Sequence, residues 1–154
     1  MLRGALAGMT AAAAWAVAEP LASRLLRPPP GYSDVRLLGA VVTQGHAWRT
    51  VGVALHLGNG ALFGAAFERL GGRGLGQGVL AAQAENLALW PGMAVVDRVH
   101  PDRKSGAWPP LLGNGRVFVY EAAVHALFGA ALGFLLRRPG SNGHVQGQTL
   151  DEAR

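Results

Sequence analysis

Four long stretches of this chain carry almost no charge, and that placement limits its possible folds more than any other feature. The stretches run about 4–26, 50–70, 74–96 and 117–136. Away from their last turns, the only Asp, Glu, Lys or Arg residues in them are Glu19, Glu85 and Glu121. A soluble amphipathic helix shows charge along its outer face. These stretches do not, so their outer faces are expected in lipid. Each approaches or reaches the length of about 20 residues that a bilayer span requires. Charged residues make up 15% of the chain, against about 25% in ordinary soluble domains. Mean hydropathy is only +0.22, because Gly and Ala dominate the apolar runs.

Backbone groups in lipid must be satisfied within the segment. Ala-rich runs of this length, without sustained period-two alternation, therefore predict helices rather than barrel strands. The expected fold is all-α: a four-transmembrane-helix bundle over residues 1–140, with a disordered polar tail at 141–154. Such a protein belongs in the cell (cytoplasmic) membrane as a multi-pass chain. Its first partner is the lipid bilayer; a homo-oligomer or a membrane complex would add a protein partner. The net charge of +5 does not point to nucleic acid. The Arg residues lie in short connectors beside apolar runs, where topology and lipid headgroups account for them. The connectors after the first and third stretches hold eight Lys or Arg against six on the other side, which leans towards both termini outside.

The N-terminus has a second reading. Leu2-Arg3, an Ala-rich run and Ala16-Val17-Ala18 match a signal peptide with a small-x-small cleavage site. Apolar residues resume at Leu21-Ala22 and Leu25-Leu26, which favours a span interrupted at Glu19-Pro20. Between the first two spans, Val35 to Val42 is apolar but too short to cross. It reads as an interfacial or re-entrant piece, or as a loop packed on the bundle. Tyr32 and Trp48 suit headgroup depth. His46 and His100 fall in connectors and are expected in water.

Internal similarity suggests a duplicated helix pair. Ala61-Leu62-Phe63-Gly64-Ala65-Ala66 recurs as Ala126-Leu127-Phe128-Gly129-Ala130-Ala131, 65 residues on. Gly4, Gly8 and Ala11-Ala12 match Gly74, Gly78 and Ala81-Ala82 at an offset of 70. Each span also holds glycines four apart: Gly4/Gly8, Gly60/Gly64, Gly74/Gly78 and Gly129/Gly133. Such pairs form flat strips on which helix backbones approach closely.

The ionisable residues follow these strips. Glu19 lies eleven residues after Gly8, and Glu85 eleven after Gly74, so each returns to within roughly 20° of its glycine's direction. His56 precedes Gly60 and Gly64 in one i, i+4 row, and Glu121 and His125 precede Gly129 and Gly133 in another. With alternating helix directions, Glu19, His56, Asn59, Glu85, Glu121 and His125 are expected in one polar layer facing the bundle interior. Gln83, Asn86 and Asn59 read singly as interhelical hydrogen bonds.

Three chemistries are open to this layer. The groups can satisfy one another and fix helix register. They can form a proton or solute path. Glu121 and His125, one turn apart, can supply two ligands of a metal or haem site. The identity of any metal is unknown, and no cofactor is expected. The chain has no cysteine, so thiolate sites are excluded. It holds no nucleophile elbow, phosphate loop or metalloprotease motif, so an enzyme is the lesser expectation. The block from His56 to Ala66, preceded by Tyr32 to Gly39, resembles small multi-span integral membrane proteins of high-GC bacteria, a family without an assigned function. That resemblance implies a multi-span protein and carries over no catalytic residue.

Overall fold

A computed structural model describes residues 1–137. The expected tail at 141–154 lies outside the described residues. The described chain is helical, with no strand. Helix α1 spans Leu2–Leu26 and continues through Pro20, whose ring removes one backbone donor. Arg27 ends it in the left-handed conformation (φ 49°), and Pro28 to Pro30 prevent any continuation. Helix α2, Asp34–Val42, starts where the Ser33 side chain accepts the Arg36 N–H. Helix α3 spans Trp48–Arg69. Gly71 and Gly74, both at positive φ, make the tight turn into α4, Gly74–Leu89.

The expected third span, 74–96, is not one regular helix. Pro91 interrupts it: α4 stops at Leu89, a single 3-10 turn covers Trp90–Gly92, and α5 runs Met93–Val99. Sixteen residues of α4 reach only about 24 Å, short of the roughly 30 Å hydrocarbon core. Helix α6, Pro101–Lys104, is a single turn. Helix α7, Gly115–Leu135, begins at Asn114, whose side chain accepts from the N–H groups of Arg116 and Val117. Three helices, α1, α3 and α7, are long and apolar enough to cross a membrane.

Helix α1 packs along α3, and α4 along α7. The reason is visible at the glycines. A Cβ placed on Gly8 would fall on the carbonyl oxygen of Gly60, and one on Gly4 would fall on that of Gly64. In the other pair, a Cβ on Gly78 would meet the carbonyl of Gly129, and one on Gly133 that of Gly74. At seven of the eight glycines of the four strips an added Cβ would thus strike the partner helix; at Gly74, which has positive φ, it would meet nothing. Helix α2 docks on α3 by the same device, Gly39 lying against the Trp48 carbonyl and Gly52 against that of Val35. Helix α1 also touches α7, and Phe63 meets Phe128 edge-on at 5.5 Å.

Buried side chains form two clusters. Ala7, Ala11, Phe67, Leu132 and Leu136 fill the end near the α3–α4 turn. Trp15, Tyr32, Trp108, Leu111, Val117, Tyr120 and Val124 fill the end of the long connectors. Outside, Val17, Leu21, Leu25, Leu62, Leu80 and Leu127 are more than half exposed. Exposed apolar faces on long helices are those of a membrane-embedded protein.

Candidate functional site

The connector end is organised around three carboxylates. Tyr32 donates its hydroxyl to Glu121 Oε1 at 2.5 Å. Tyr120 donates to Glu19 Oε1 at 3.1 Å, and the same oxygen accepts the Asp34 backbone N–H at 2.9 Å. Trp15 donates its indole N–H to Asp34 Oδ2 at 2.9 Å. The rings pack edge-on, Trp15 to Tyr120 at 6.1 Å and Tyr32 to Tyr120 at 5.8 Å. Among the described residues no Lys or Arg forms an ion pair with Glu19, Asp34 or Glu121. Burial, and then the Glu121 carboxylate, hold the Tyr32 phenol well above its usual range.

Connector residues cover this cluster. Arg36 binds Asp102 through two nitrogens, at 2.6 and 2.7 Å, which holds the Asp102 carboxyl below its usual range. His100 stacks on Trp108 at 4.4 Å. Its Nδ1 accepts the Asp102 N–H at 3.2 Å, so the ring proton sits on Nε2, which faces the Arg36 carbonyl at 3.4 Å. Burial lowers the pKa of this imidazole. Asp97 accepts the N–H groups of Leu111 and Leu112 and pairs with Arg103; Arg103 also donates to the Trp108 carbonyl.

One expectation is corrected here. His100 is fully buried rather than solvated, because it caps α6 and stacks on an indole. Tyr32 is buried at 3% exposure, where Glu121 takes its hydroxyl. His46 is exposed. Trp48 is half-buried beneath Arg36 and Arg49, at 5.1 and 5.5 Å from its ring.

Beside the cluster lies a cavity of about 510 Å³. Helices α2 and α3 wall one side, α4, α5 and α7 the other, with Ala12 and Trp15 of α1 behind. Of the six residues expected in one layer, His56, Asn59, Glu85, Glu121 and His125 line this cavity. Glu19 does not line it; it is bonded to Tyr120. Asp34 and Asn86 also line it. Asp34 Oδ1 and Asn86 Nδ2 are buried without a hydrogen-bond partner. The remaining wall is apolar, with Leu55, Leu89, Met93 and Val96.

The two histidines present unlike faces. His56 Nε2 lies 3.1 Å from the Ala12 carbonyl on α1. A carbonyl only accepts, so Nε2 carries the proton and Nδ1 of the neutral ring is an acceptor. His125 Nδ1 lies 2.8 Å from the Glu121 carbonyl of its own helix, so its Nε2 is the acceptor. Gln83 donates across to the Ala122 carbonyl at 2.6 Å and ties α4 to α7. Nδ1 of His125 is 3.8 Å from Glu121 Oε2. That pair alone is short of a metal site, and among the described residues no group of three His, Asp or Glu is arranged to hold a metal.

Asp34 is the main residue that sequence reasoning missed. Its signal was the Ser33-Asp34 start of an apolar stretch, a helix N-terminus signature. That signature placed Asp34 on α2 but not against α1 and α7. No protein-family model, curated protein or solved structure matches the chain.

Proposed function

We propose that this chain is a multi-pass protein of the cytoplasmic membrane that binds an amphipathic small molecule between two related helix pairs. The carrying observation is the cavity itself: one apolar space into which Asp34, His56, Glu85, Asn86, Glu121 and His125 converge from four helices. Volumes of about 300–1,000 Å³, mostly apolar with a few convergent polar groups, are those of small-molecule sites. We assign no catalytic step.

The paired architecture is supported by equivalent contacts. Gly60 meets Gly8 and the methyl group of Ala12; Gly129 meets Gly78 and the methyl group of Ala82. Gly8 and Ala12 are 70 residues from their counterparts, whereas Gly60 is 69 residues from Gly129, as His56 is from His125. The contact register therefore lies one helical turn from the 65-residue register of the repeated Ala-Leu-Phe-Gly-Ala-Ala block. In this reading α4, the 3-10 turn and α5 together make the fourth, interrupted span. Irregular backbone at membrane depth is tolerated where it borders a cavity.

Mass spectrometry of the full chain in lipid nanodiscs under native conditions tests the reading. The wild-type protein should retain a bound small molecule, or take one up from added amphiphile. Asn59→Trp, which fills the cavity from an exposed position on its wall, should abolish it. Equal uptake by both proteins contradicts the proposal.

A proton path is the second reading. It is favoured by the near-continuous run Ser23, Tyr120, Glu19, Asp34, Glu121 and Tyr32. Pyranine-loaded vesicles would detect it as proton entry that Glu121→Gln removes, and equal entry in the variant contradicts it.

A further inference from the structure

We infer that the cavity's ligand is a lipophilic organic cation: an amine on an apolar body, seated with its N–H groups towards Asp34, Glu85 and Glu121. The inference rests on the cavity reading above and adds the chemical class of the occupant.

The polar wall is almost entirely acceptor. Three carboxylates face the cavity, and among its lining residues there is no Lys or Arg. Arg36, on the same helix as Asp34, is held bidentately by Asp102. Both histidines spend their ring N–H on backbone carbonyls, His56 on Ala12 and His125 on Glu121. Each therefore offers a bare nitrogen elsewhere. The Asp34 and Glu121 carboxyls lie close enough to repel one another, and a single positive charge beside them removes that repulsion. An anionic headgroup would add to it.

Two unpartnered groups point to the same occupant independently of charge. Asp34 Oδ1 is buried beside the Glu121 carboxyl and receives no N–H or hydroxyl donor. Asn86 is only 4% exposed, lines the cavity, and its Nδ2 has no acceptor. Buried polar groups left in this state cost free energy that a matching ligand returns. An amine fills the first vacancy, and an oxygen beside that amine, as in an amino alcohol, fills the second. Trp15 and Trp90 also line the cavity, and aromatic rings attract cations. Val42 and Leu89, lining residues that are 64% and 62% exposed, give an apolar body a side entrance from lipid.

A matched twelve-carbon series tests this on the full chain in nanodiscs: dodecylamine, dodecanol and dodecanoate. Binding is read from the unfolding midpoint and from tryptophan fluorescence with Trp48 and Trp108, which do not line the cavity, replaced by Phe. The amine should bind about tenfold or more tighter than the alcohol, with the acid weakest, from the loss of one charge-assisted pair. Glu85→Gln and Glu121→Gln should each weaken the amine about tenfold and leave the alcohol unchanged. Should Glu121→Gln fail to fold, Glu85→Gln carries the comparison. Alcohol or acid binding as tightly as amine overturns the cation and leaves the cavity reading standing. Amine affinity untouched in the folded Gln variants, or retained by Asn59→Trp, also overturns it, marking bulk partition into lipid. If none of the three compounds changes either signal, both readings fall.

Discussion

Substituting alanine at Gly60 should be more costly than at Gly58, although the two positions lie on the same helix two residues apart. A Cβ on Gly60 would meet the Ala12 methyl and the Gly8 carbonyl oxygen, whereas one on Gly58 meets nothing within 4 Å. Neither obstacle at Gly60 is the far end of a flexible side chain. The α1–α3 pair must therefore separate or shift. Overpacking of this kind costs about 1–3 kcal/mol. Both substitutions gain the same helix-propensity term, at most about 1 kcal/mol, so their difference isolates packing. Gly58→Ala is expected neutral or slightly stabilising, and Gly60→Ala about 1–3 kcal/mol less stable than Gly58→Ala. Gly76→Ala and Gly78→Ala repeat the comparison on α4, where only Gly78 faces a partner backbone. Reversible unfolding in mixed micelles, followed by near-ultraviolet circular dichroism, supplies the numbers. Equal stability of Gly60→Ala and Gly58→Ala would refute the close backbone approach.

Further expectations follow from the connector cap and the tyrosines. Arg36→Met leaves the Asp102 carboxylate buried and unpaired. The cost should be about 2 kcal/mol, low for a buried pair because Arg36 keeps 35% of its side chain in water. Asp102's folded pKa lies below its usual 3.8. The pair's contribution is therefore complete above that value and lost as pH falls through the folded pKa; unfolding midpoints of wild type and variant should converge in acid and stay apart at pH 7. Tyr32→Phe removes the donor to Glu121 and should cost about 1–3 kcal/mol. Because the Tyr32 phenol stays protonated above its usual value of 10.0, that substitution should leave the tyrosinate absorbance at pH 10 unchanged.

The sequence made some of this architecture readable and hid the rest for physical reasons. Charge-free runs mark helices that need an apolar surrounding, and glycines four apart mark faces where backbones can touch. Both are local patterns, and the contacts at Gly8, Gly60, Gly78 and Gly129 involve those same residues. Pro91 was legible as a break, but not that α4 would end at Leu89 and leave a 3-10 turn on a cavity wall. The register between helices was not legible, because sliding one glycine strip along another by a turn keeps glycine against glycine. Asp34 and His100 were hidden for a different reason. Each sits at the start of a short helix in a connector, and its burial depends on where that connector folds back. Hydropathy places such residues in water; only the contacts with Trp15 and Trp108 show otherwise.

The central claim is that apolar helix faces lie in lipid around an internal cavity, and it is open to one direct measurement. The chain has no cysteine, so a nitroxide can be attached at single sites by Leu62→Cys, Leu80→Cys, Leu127→Cys and, as a water-side reference, His46→Cys. In reconstituted vesicles, relaxation by oxygen should exceed relaxation by a water-soluble nickel complex at 62, 80 and 127, with the order reversed at 46. A label at 62, 80 or 127 that collides more with the nickel complex than with oxygen would contradict the account.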